Sequence, residues 1–347
     1  MHEDGSLAAR AAAQGLAARG SDVAEAVRRV VALQGQDVRA SRLAVRARTA
    51  GLTASDVDDA IAARKVVRTW AMRGTLHLLA AEDVRWIVGL LGPRFAHRTR
   101  GRREQLGLDE SSTARGVAAL TEVLSGAGPL TRAKIVSRLA GHGVVLDPKS
   151  QAPAHLLGYA ALTGVLCRGP EAPKDESTYV LLDEWLPPAP VIDEEEALVR
   201  LASRYLVGHA PADAADFATW AGLPLGRARS AFTAIGDHDR PAASVPERGV
   251  VRLLGHFDAY LLGYASRVPA VPPEHDRKIQ SGGGFVMPAV CVDGRVVGTW
   301  RLDRSGGRGT VSVQPFGVVG SAVRQALCDD ADDVSRFLGI EVDLAIP

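Results

Sequence analysis

One order of elements recurs three times along the chain: short helices, then a pair of short β-rich runs. In the first stretch, Asp22–Leu33 places Val23, Ala26, Val27, Val30 and Val31 at the spacing of one helix face. A second helix is expected over 39–50. Thr53-Ala-Ser-Asp56 has the form of a capping box that opens a third. Val66–Ala71 and Thr75–Ala80 then read as strands, with Arg73-Gly74 at the turn. The second stretch opens a helix at Leu130-Thr131 that ends near Gly141–Gly143. A further helix over 150–164 follows, with strands at Gly164–Cys167 and Thr178–Leu182. The third has helices near 193–208, 212–221 and 225–234, then strands at Val250–Leu254 and near Tyr260–Tyr264. Three helices followed by a two-stranded wing is the winged form of the helix-turn-helix.

The tail departs from this order. Phe285–Val292 and Arg295–Trp300 flank Asp293-Gly294, a strong signal for a two-residue hairpin. Gly309–Pro315 adds a strand, and residues 319–330 and 332–338 read as helices. The expected architecture is α+β, with three tandem winged-helix units and a C-terminal β-barrel-like domain. Its boundaries fall at 1–83, 84–186, 187–268 and 269–347.

The formal net charge of +1 conceals an asymmetry. Residues 1–103 hold 18 basic and 10 acidic side chains, and the remainder holds 23 and 30. A basic N-terminal third points to a polyanion partner. Arg outnumbers Lys 36 to 5, so the cations are mostly guanidiniums, suited to bidentate phosphate contacts. Arg39, Arg42 and Arg46 share one face of the second helix, with Arg48 close by. Arg85, Arg94, Arg98, Arg100, Arg102 and Arg103 form a second basic stretch with no acid between 84 and 103. No apolar run reaches membrane-spanning length, and no secretory signal is read at the N-terminus. Cys167, Cys291 and Cys328 are widely spaced and suggest neither disulfides nor a thiolate metal site. A cytoplasmic, nucleoid-associated monomer with no metal and no cofactor is the expectation.

No G-x-S-x-G, P-loop or H-E-x-x-H occurs, and Ser281–Gly284 lacks the Lys and the helix of a phosphate loop. The remaining chemical candidate is Gln34-Gly35-Gln36. A Gln amide both donates and accepts hydrogen bonds, so two of them can hold and orient a water. Gln is no general base near neutral pH. Such a pair works by positioning, and suits a leaving group that is already activated. An N-glycosidic bond to a cationic alkylated base is one.

LQGQDVRASRLAVRAR (33–48), VVRTWAMRGTLHLLAAEDV (66–84), GHFDAYLLGYASR (255–267) and DGRVVGTWR (293–301) together resemble the AlkZ/YcaQ family of bacterial DNA glycosylases. The resemblance covers about 7–340. It implies winged-helix units wrapped around double-stranded DNA carrying alkylated guanine. It also implies monofunctional excision of N7-alkylguanine, including bulky adducts and interstrand crosslinks from antibiotic genotoxins. The family's Gln-x-Gln signature falls on Gln34 and Gln36, the catalytic candidates. Its middle residue is usually aliphatic; here it is Gly35. Arg73 and His77 lie in a second recurring segment and join Arg39, Arg42, Arg46, Arg98, Arg100 and Arg102 as DNA-contact candidates. Asp258 and Tyr264 read as anchors between the third unit and the β domain. The alternative is a winged-helix DNA binder without catalysis, a regulator or an adduct-binding protein.

Overall fold

The computed structural model describes residues 2–236, 248–280 and 282–347. Ser281, at the head of the Gly-rich run, lies outside the described residues. The chain forms two compact units, Met1–Val57 with Val199–Pro347, and Asp58–Leu198. Among the described residues no helix is long and apolar enough to cross a membrane.

In the first unit, Asp22 caps the helix Val23–Arg29 by accepting from Glu25 N at 2.8 Å. The periodic run continues to Leu33, but the helix stops four residues earlier. Val31 turns the chain at φ 67°, and Ala32–Gln34 runs extended. That left-handed turn is unusual for a β-branched residue and holds because Val30, Val31, Ala32 and Leu33 are all buried. Asp37 then accepts from Ala40 N at 2.9 Å and caps the helix Val38–Arg48.

A five-stranded sheet closes this unit. Its order is Glu341–Ala345, Arg308–Pro315, Arg295–Ser305, Ala289–Val292 and Val251–Leu254. The first two strands pair in parallel and the others antiparallel. Asp293 and Gly294 both take positive φ, 48° and 83°, as a two-residue primed turn requires. Alternate residues of the central strands, Val296, Trp300, Val311 and Val313, point inward. Trp300, Val311 and Val313 share a core with Leu327, Ala331 and Val334 of the helix Ser321–Leu338. That helix is continuous where two were expected.

The third helix trio lies over Glu194–His209, Ala214–Ala221 and Leu225–Ile235. Its expected wing is corrected by the structure. Val251–Leu254 pairs with Ala289–Val292 in the five-stranded sheet. Residues near Tyr260 are helical over Ala259–Leu262, because Asp258 accepts from Tyr260 N at 2.9 Å and starts a turn of helix.

The second unit contains the antiparallel hairpin Val66–Trp70 with Leu76–Ala80, in the register Val66↔Ala80 to Trp70↔Leu76. The basic stretch 84–103 is helical, within Ala81–Arg98 and Arg100–Gln105. Thr131 caps the helix Arg132–Gly141, as its sequence suggests. Leu130-Thr131, Leu166–Arg168 and Thr178–Leu181 make a three-stranded sheet with the last in the middle. Its core gathers Leu120, Leu124, Ile135, Leu156, Leu157 and Leu166. Gly92 is required here: a Cβ would sit 1.9 Å from Leu162 O.

Candidate active site

The extended segment Ala32–Gln34 carries the first glutamine to the edge of the core. Gln34 is buried, Gly35 is buried, and Gln36 is exposed just before the capping residue Asp37. The two side chains meet: Gln34 Nε2 donates to Gln36 Oε1 at 2.7 Å. The backbone is fixed on both sides, by the buried Val30–Leu33 segment before and the Asp37 cap after. A glycine between the glutamines therefore does not leave the pair unoriented. The result is one buried and one exposed amide joined as a unit, with donors and acceptors suited to a small polar reactant such as water.

The arginine helix that follows divides in a way its spacing does not show. Arg39 is exposed and Arg42 half-buried. Arg46 is fully buried: its guanidinium reaches Asp330 and Asp333, each at 3.0 Å, and donates to Leu253 O at 2.8 Å. Burial alone lowers its pKa, but Asp330 and Asp333 outweigh that and hold it above the usual arginine value. Arg46 is thus corrected from a DNA contact to a core ion pair, since a phosphate cannot reach it. Arg48 is equally buried and grips Asp258 with both nitrogens, at 2.8 and 3.0 Å.

The expectation that Asp258 anchors the third unit to the β domain is corrected: it pairs with Arg48 of the arginine helix and caps the turn Ala259–Leu262. Gly255 lies against the first turns of the arginine helix, where a Cβ would be 3.2 Å from Leu43 Cβ and 3.5 Å from Ala40 O. The turn Ala259–Leu262 packs against the strand Ala32–Gln34. His256 and Phe257 lie in sequence between these two contacts, and both reach the Val286 carbonyl. Sequence reasoning passed over both. The signal available was their place inside a family-like segment, next to a Gly. Tyr264 donates to His209 O at 3.0 Å, a structural bond.

In the second unit, Arg73 occupies the hairpin turn with φ 58° and is half-buried. Burial pushes its pKa down to about 10, so it stays cationic at neutral pH. His77 is buried in the strand, with Nδ1 2.9 Å from Thr75 O. Burial, and then Arg73, push its pKa down to about 3. A neutral, enclosed imidazole makes no phosphate contact, which corrects the DNA-contact expectation for His77. Arg98 is exposed, its guanidinium 5.4 Å from the Phe95 ring centre. Arg100 is exposed but faces Glu104 at 2.9 Å and Glu110 at 3.7 Å, acids that lie just beyond the acid-free stretch. Arg102 is exposed and bonds the neutral amides of Gln105 and Gln151. Arg103 is buried, over the Tyr159 ring at 4.1 Å.

The amide pair thus sits on a short strand that leads into a basic helix, in a unit closed by a five-stranded sheet. The chain belongs to the DNA glycosylase AlkZ-like family, whose match spans residues 27–337. An interstrand DNA cross-link repair glycosylase of Streptomyces sahachiroi is 29% identical, covering 68% of this chain and 70% of that protein. The solved structure of the Streptomyces sahachiroi DNA glycosylase AlkZ aligns with a TM-score of 0.81 at 25% identity, over 99% of both chains.

Proposed function

We propose that this glycosylase hydrolyses the N-glycosidic bond of N7-alkylated guanine in duplex DNA as a monofunctional, monomeric enzyme. Bulky adducts and interstrand crosslinks fall within its range; the name of the Streptomyces sahachiroi relative supports the crosslink part. The observation that carries the reading is the hydrogen bond between Gln34 and Gln36. Gln34 and Gln36 hold a water against C1′ of the deoxyribose. The water oxygen bonds to C1′ as the C1′–N9 bond breaks, and that bond's electron pair goes to N9. This neutralises the positive charge of the alkylated ring, so no acid is needed on the base. The water's proton passes to solvent. The products are free alkylguanine and an abasic sugar.

The helix trios and hairpins are read as winged-helix units, the third having given its strand to the C-terminal sheet. Arg39, Arg42, Arg73, Arg98, Arg100 and Arg102 remain as phosphate contacts. The test is release of 7-methylguanine from duplex DNA by wild type, Gln34→Ala and Gln36→Ala under single turnover. Each variant is expected to slow release by about 100-fold, the scale of a lost positioning contact. Wild-type rates in both would remove the glutamines from the mechanism. Binding without any base release by wild type would favour the non-catalytic alternative.

A further inference from the structure

We propose that His256, Phe257 and Phe285 form an aromatic shelf beside the glutamine pair. Its ligand is the planar aromatic part of a bulky guanine adduct. The inference rests on the excision reading above and deepens it by naming what the enzyme grips besides DNA.

Among the described Phe, Trp and Tyr residues, Phe285 alone is exposed, at 53%. A single exposed ring is ordinary. This one stands in a cluster: its centroid is 5.2 Å from Phe257 and 6.2 Å from His256, the latter edge-on at 89°. The cluster is built, not loose. Phe257 N donates to Val286 O at 3.2 Å, and His256 Nδ1 lies 3.2 Å from the same oxygen. Phe257 is held at φ 56°, a conformation rare for a bulky side chain and associated with functional positions. Gly255, just before the shelf residues, lies against Ala40 and Leu43 of the arginine helix, and Ala259–Leu262, just after them, packs on the Gln34 strand; this is the ground for placing the shelf near the proposed reaction centre.

The approach is open. Gly282, Gly283 and Gly284 precede Phe285, and a Cβ at any of them would meet nothing within 4 Å among the described residues. Three residues without side chains leave room for a large planar group at the rim. A ring supported on one side and exposed on the other gains by stacking with a planar partner. The shelf is on the surface, so the occupant is a group carried outside the base stack. That fits an adduct's appendage better than an extruded guanine, which needs an enclosing pocket.

The test uses duplexes with one modified guanine: a bulky planar aromatic N7 adduct, 7-methylguanine, or none. A 2′-fluoro sugar blocks cleavage. Equilibrium affinity is measured for wild type, Phe285→Ala and Phe285→Trp. Phe285→Ala is expected to bind the aromatic-adduct duplex about tenfold more weakly, the scale of one lost stacking contact. Its affinity for the other two duplexes stays at the wild-type level, and Phe285→Trp restores adduct binding. An equal loss on all three duplexes, or on both modified ones, overturns the shelf, as does no loss at all. Base release from the cleavable duplexes is followed in parallel. Selective binding without release keeps the shelf and overturns the excision reading. Release with no adduct preference at Phe285 does the reverse.

Discussion

The buried pair Arg48–Asp258 should respond to mutation as a unit. Both side chains are fully enclosed, and the guanidinium makes four hydrogen bonds: two to Asp258, one to Gln14 Oε1 and one to Ala44 O. Asp258→Asn keeps an oxygen that can still accept from Tyr260 N, so the turn Ala259–Leu262 retains its cap. What it removes is the countercharge. Breaking a buried pair from one side costs about 3–5 kcal/mol, because a charge is left uncompensated. Arg48→Met leaves the carboxylate stranded and should cost a similar amount. In the double variant no charge is stranded, so its loss should be at least 2 kcal/mol smaller than the sum of the singles. The assay is equilibrium chemical denaturation of all four proteins at pH 7 in one buffer. Single losses below about 1 kcal/mol, or strict additivity, would refute a desolvated couple at this position. The site should feel the loss too. The turn capped by Asp258 packs against the strand that carries Gln34, so Asp258→Asn is expected to slow base release at temperatures where it is still folded.

Arg46→Ala is expected to destabilise the fold by about 3–5 kcal/mol and leave the salt dependence of DNA binding per folded molecule unchanged. Arg39→Ala should do the opposite, with little change in stability and a log–log salt slope shallower by about 0.9. For His77 the folded pKa is about 3 against an ordinary 6.5, so the unfolded chain binds the extra proton between those values. Its contribution is complete above pH 6.5 and falls by about 1.4 kcal/mol per pH unit below it. His77→Asn should therefore lose about 2 kcal/mol less than wild type between pH 7 and pH 5 in denaturant titrations.

Local chemistry was readable from the sequence; partner choice was not. Asp293-Gly294 fixes a hairpin because both residues tolerate positive φ, and Thr131 caps a helix through its own side chain. The hairpin Val66–Ala80 also follows from its two runs and the turn between them. Val251–Leu254 was legible as a strand, but which strand it joins depends on the distant Ala289–Val292 edge. The helix Ala259–Leu262 escaped because four residues have too little period, and its cause is the single cap at Asp258. At the site, residue types marked Gln34 and Gln36. Their mutual bond depends on a left-handed valine and a capping aspartate, neither of which forms a period.

The arginine helix shows where charge counting needs the fold. Spacing put Arg39, Arg42 and Arg46 on one face, but spacing cannot say how far along that face water extends. The answer lies in Asp330 and Asp333, more than 280 residues away, which draw Arg46 into the core. Arg48 is matched by Asp258, and Arg68 by Glu171. The excess base of residues 1–103 and the excess acid of the remainder thus partly cancel inside the protein, pair by pair. The buried arginines are withdrawn from any proposed contact with phosphate. The measured salt slope of DNA binding should accordingly reflect the smaller set that remains and fall well short of what 18 basic side chains would give.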